Sequence, residues 1–63
     1  RENHADAGST YYNIGVLYCE QNDQQLALWY FSECHRIWSI CLPSDHPYSV
    51  MLVHAVNVAK AVA

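Results

Sequence analysis

The sequence predicts an all-α fold of three helices. Three observations predict it: apolar residues recurring at spacings of three and four, a supply of structure breakers limited to Gly8, Gly15, Pro43 and Pro47, and two polar breaks that divide the chain. The first break is Glu20-Gln21-Asn22-Asp23-Gln24-Gln25, with Asn22-Asp23 its best turn candidate. The second is Leu42-Pro43-Ser44-Asp45-His46-Pro47. They leave helices over about 5–21, 24–41 and 47–62.

In the first segment Ala7, Tyr11, Ile14, Leu17 and Tyr18 form an amphipathic stripe. In the second, Ala27, Tyr30, Phe31, Cys34, Ile37, Trp38 and Cys41 do the same, and Trp38 is expected in the core against the third helix. The third segment starts where Asp45 or His46 can cap and Pro47 suits a first turn that has no use for its missing N–H. Val50, Val53, Val56 or Asn57, and Lys60 share one side of it, while Met51, Leu52, Ala55, Val58 and Ala59 fill much of the rest. Its valines weaken helix propensity, but no strand-like alternation survives Ala59-Lys60-Ala61.

Length sets the next constraint. At 63 residues, 52% of them hydrophobic, the chain makes one small domain at most. Ordering costs about 1.5 kcal/mol per residue, and the apolar burial of so short a chain roughly breaks even against it. The single unit 1–63 is therefore expected to be a piece of a longer protein or part of an oligomer. Six acidic and three basic residues, with Arg1, Arg36 and Lys60 far apart, argue against nucleic acid. No run of about 18 apolar residues offers a membrane span. The opening Arg1-Glu2-Asn3-His4 has no apolar stretch behind it to act as a signal peptide, so a soluble, cytoplasmic protein is expected. Cysteine usage agrees: Cys19, Cys34 and Cys41 are odd in number and form no C-x-x-C pair. On one helix Cys34 and Cys41 stand about 10 Å apart along the axis, beyond the roughly 7 Å reach of a disulfide, so packed reduced thiols are expected.

Repeats come from the same residues. His4-Ala5 and His46-Pro47 open the first and third helices 42 residues apart. Tyr11, Ile14-Gly15 and Tyr18, followed by Ala27, Phe31 and Cys34, resemble the tetratricopeptide repeat in residue type and register. Small Gly15 and Ala27 let two antiparallel helices approach, and Tyr11, Tyr18 and Phe31 fill around them. The long second helix and the Pro43-Ser44-Asp45-His46-Pro47 connection look like the kinesin light chain variety. The resemblance implies an antiparallel hairpin of one repeat plus the first helix of the next, an α-solenoid fragment. Asn57 and Lys60 depart from the pattern where a glycine and an aromatic are expected.

Such repeats resemble interaction scaffolds whose first helices line a groove. The function this implies is binding of a peptide or partner helix, with no catalysis and no cofactor. The groove face of the first helix carries Ser9, Tyr12, Asn13, Val16, Cys19 and Glu20, and that of the third carries Leu52, His54, Ala55 and Val58. Asn13 matches an asparagine that the resemblance assigns to a bound peptide backbone, a task that suits an amide because it both donates and accepts. Tyr12 is either a groove anchor or an inter-helix packing residue. The groove face lacks the Lys and Arg of carboxylate-gripping repeats, so an apolar or helical ligand is favoured. Leu28, Trp29 and Leu52 are the candidate self-association residues, toward a second copy or a neighbouring repeat. The competing reading is a small metal-binding or redox protein using cysteines with His4, His35, His46 and His54. Against it, no paired ligand spacing occurs, and Cys34 and His35 point to different helix faces, so no metal site is assigned.

Overall fold

A computed structural model describes residues 4–62; Arg1, Glu2 and Asn3 of the opening lie outside them, as does the last residue of the 1–63 unit. The described residues form α1 (His4–Glu20), α2 (Gln24–Cys41) and α3 (Pro47–Val62), and no strand. α1 and α2 pack closely as a hairpin, α3 lies against α2, and α1 and α3 touch only marginally.

The hairpin turn follows from two residues. Asn22 takes φ 65°, the left-handed conformation that asparagine tolerates better than most side chains. With it there, Asp23 N–H reaches back to the Tyr18 carbonyl at 2.9 Å and Asn22 N–H to Cys19 at 3.1 Å, a Schellman closure of α1. Asp23 then caps α2, its carboxylate accepting from Leu26 N–H at 3.2 Å. At the second break the Leu42 N–H donates to Trp38 O at 2.8 Å, and Pro43 follows outside the helix. His46, rather than Asp45, is the residue whose side chain caps α3: its Nδ1 accepts from Tyr48 N–H at 3.0 Å.

The core is a row on α2, Ala27, Phe31, Cys34 and Trp38, joined by Leu52 and Ala59 of α3. The two fully buried residues of α1 are Gly8 and Gly15, with Tyr11, Tyr12, Val16 and Tyr18 packed partly buried against the core around them. A Cβ on Gly15 would stand 2.6 Å from Phe31, and one on Gly8 would stand 2.3 Å from Trp38 Nε1. The two large α2 side chains are thus seated in notches of α1, which brings the helices together. Trp38 is 2% exposed, donates from Nε1 to the Ala5 carbonyl at 3.0 Å, and stacks on Tyr12 and Tyr48 at 5.9 and 5.1 Å. It ties all three helices, which is more than a contact with the third alone.

Two stripes differ from the sequence expectation. On α1 Tyr11 and Tyr18 pack against the core and Gly15 sits at the helix crossing, but Gly8 takes a second inward place and Ala7 and Leu17 are exposed. Glycine carries little weight in an apolar pattern, so the stripe read from side chains passes over Gly8. On α3 the inward residues are Leu52, Ala55, Val56 and Ala59, while Val50 and Val53 are 59% and 57% exposed. Leu52, expected on both the groove and the self-association surface, is 2% exposed and belongs to the core. It sits one turn before Val56 and two before Ala59 on the side that α2 covers.

Candidate functional site

Because α1 and α3 both lean on α2 without closing on each other, a groove of about 360 Å³ runs between them. Phe31 of α2 forms its floor, Val16, Cys19 and Glu20 of α1 one wall, and His54, Ala55 and Val58 the other. Six of the ten residues expected on the groove face, Val16, Cys19, Glu20, His54, Ala55 and Val58, are brought together here. On α1 they fall at i, i+3 and i+4, so one face delivers all three.

Of the other four, Leu52 lies in the core and three stand elsewhere on α1. Ser9 is half-buried near the start of α1, its hydroxyl donating to the Ala5 carbonyl at 3.2 Å. Asn13 is exposed one turn before the groove wall. Tyr12 is half-buried and packs between helices, its ring 5.7 Å from Phe31 and 5.9 Å from Trp38. Ala55 and Phe31 are groove residues that the side-chain pattern on α1 alone does not pick out. Ala55 was legible on α3 at the position corresponding to Asn13, whereas Phe31 needed the hairpin crossing to be known.

The chemistry of the groove is apolar with two polar margins. Burial and the neighbouring Glu20 carboxylate both push the Cys19 thiol above its ordinary pKa, so it lines the wall as a neutral group. Burial pushes the Cys34 thiol up to about 12, partly offset by a backbone hydrogen bond with Tyr12, and it keeps its proton at neutral pH. Neither is tuned as a nucleophile. All three cysteines are free, and among the described residues no three His, Cys, Asp or Glu side chains are placed to hold a metal ion.

A second concavity of about 410 Å³ lies between α2 and α3. Leu28, Phe31, Leu52, Val53 and Val56 line it, with Ser32, His35, Asn57 and Lys60 around them. Leu28 therefore borders an open apolar surface. Trp29, 53% exposed, lies outside that lining and packs edge-on against Tyr30 at 5.0 Å. No described helix is long and apolar enough to cross a membrane.

The fold and these surfaces define a three-helix unit: a closed hairpin with a third helix that leaves an apolar groove on each side. Comparison with family models, curated proteins and solved structures finds no match for this chain.

Proposed function

We propose that the chain is a tetratricopeptide-like interaction unit that binds a peptide or partner helix in the groove between α1 and α3, and that it carries no enzymatic activity. The observation that carries this reading is the convergence of Val16, Cys19, His54, Ala55 and Val58 over Phe31. An apolar trough between two helices accepts the apolar face of an amphipathic segment, with anchors at i, i+3 or i+4 and i+7. Glu20 on one margin favours a basic residue flanking those anchors, and the formal charge of −3 favours the same sign of partner over the whole surface. The repeat register of Tyr11, Gly15, Tyr18, Ala27 and Phe31 supports the scaffold reading independently of the groove.

The test is selection of displayed random peptides against the 63-residue chain, followed by binding measurements on Val16→Glu and Val58→Asp. Val58 is exposed while Val16 packs partly buried against the core, so circular dichroism verifies that each variant keeps its helicity before binding is compared. The reading expects enriched amphipathic sequences whose affinity falls about tenfold or more on either substitution. Enrichment of nothing, or of peptides indifferent to both substitutions, overturns it.

A further inference from the structure

The surface of α3 that faces away from α1 carries a pattern that the α1–α3 groove does not use. Val50, Val53, Asn57 and Lys60 follow one another at spacings of three and four along one stripe. Val50 and Val53 are largely exposed. The stripe borders the concavity that Leu28, Ser32 and His35 of α2 form with α3. Lys60 is the sole charged residue of α3, and Asp45 lies exposed just before its first turn.

We propose that this face pairs with a second copy of the chain, α3 antiparallel to α3, about a two-fold axis at Val53. The register is set by charge and by the positions of the apolar residues. Inversion about Val53 brings Val50 against Val56 of the second copy, Asn57 against its Ser49, and Lys60 toward its His46 and Asp45. At 1.5 Å per residue Lys60 stands about 10 Å from the axis, and the start of α3 lies at a similar distance on the opposite side. Each copy supplies one cation and one carboxylate, so the two-fold creates two equivalent ion pairs at the ends of a valine centre. A parallel arrangement would instead set Lys60 against Lys60 and Asp45 against Asp45. The second copy's α3 then occupies the α2–α3 concavity, and α2 and α3 of the two chains form a four-helix bundle. Trp29 and Ile40 are exposed on α2 but do not line this concavity.

Sedimentation equilibrium on the chain from about 1 to 100 µM tests the proposal, because dimerisation is a mass-action equilibrium. The expected result is a concentration-dependent species of twice the 7.2 kDa chain mass. Val53→Asp, which places two carboxylates at the axis, should weaken dimerisation by roughly tenfold or more. Asp45→Lys, which sets like charges together at both ends, should weaken it by about tenfold, and Asp45→Lys with Lys60→Asp should restore it. These positions are exposed, and unchanged helicity of each variant verifies the fold. A monomer across the whole range overturns the proposal. So does a dimer indifferent to Val53→Asp, which would place the contact on another face. A double charge exchange that fails to recover affinity overturns the antiparallel register.

Discussion

At Gly8 helix propensity and packing oppose each other. Replacing a glycine inside a helix by alanine normally stabilises by about 1 kcal/mol, because alanine loses less backbone freedom on folding. At Gly8 the new Cβ would stand 2.3 Å from Nε1 and 2.5 Å from Cδ1 of Trp38. The indole would have to retreat by about 1.2 Å to reach ordinary contact at ~3.5 Å. It has little freedom to do so, since it is buried, stacked on Tyr12 and Tyr48, and held to the Ala5 carbonyl at 3.0 Å. Retreat weakens a hydrogen bond worth about 1 kcal/mol and two ring contacts worth about 0.5–1.5 kcal/mol each, a loss of about 3 kcal/mol. Against the propensity gain, Gly8→Ala should therefore destabilise by about 2 kcal/mol. In a chain of this size that lowers the thermal midpoint by roughly 8–16 °C. Thermal unfolding followed at 222 nm reads the effect directly. In a Trp38→Phe background the closest atom and the hydrogen bond are already gone, so the added cost of Gly8→Ala should shrink by about half. A midpoint for Gly8→Ala at or above that of the parent chain would refute the notch and the helix crossing built on it.

Four further outcomes follow from the turn and the thiols. Asp23→Ala removes the side-chain cap of α2 and should cost about 0.5–2 kcal/mol in urea unfolding. Asn22→Val places a β-branched residue at φ 65° and should cost at least about 1 kcal/mol, whereas Asn22→Gly should be tolerated or mildly stabilising. Cys34 has its pKa raised from 9.0 to about 12 in the folded chain, so folding holds its proton more tightly than the unfolded state does. Its contribution is complete below about pH 9 and is lost as pH rises toward 12, with a slope of at most about 1.4 kcal/mol per pH unit. Unfolding free energies measured between pH 7 and about 11 should fall over that window, and Cys34→Ala should flatten the fall. Native alkylation read by mass spectrometry should modify exposed Cys41 well before buried Cys34.

The three helices were legible because their ends are written in chemistry that acts locally. Asn22 accepts a left-handed backbone, Asp23 and His46 cap, and Pro47 begins a helix; none of these needs a distant partner. The inward row of α2 was legible for a similar reason, since Ala27, Phe31, Cys34 and Trp38 share one face of a 3.6-residue period. On α1 the crossing at Gly15 with Tyr11 and Tyr18 around it was legible, whereas the second notch at Gly8 was not, because a glycine has no side chain to register in a pattern. The side of α3 that Leu52 occupies was not legible at all, because α3 is apolar around most of its circumference and only contact with α2 selects a face. For the groove, Val16, Cys19, Glu20 and His54 followed from helical position, whereas Phe31 became a floor residue only once α1 and α3 were seen to splay across α2.

The claim that the α1–α3 groove is the binding surface is tested most directly by a heteronuclear NMR titration of the chain with a peptide enriched by selection. Amide shifts should concentrate on Val16, Cys19, Glu20, His54, Ala55 and Val58, with the outward residues of α2, among them Trp29 and Ile40, left in place. Shifts centred instead on Leu28, Ser32, His35 and Val53 would place the peptide in the α2–α3 concavity and contradict the account.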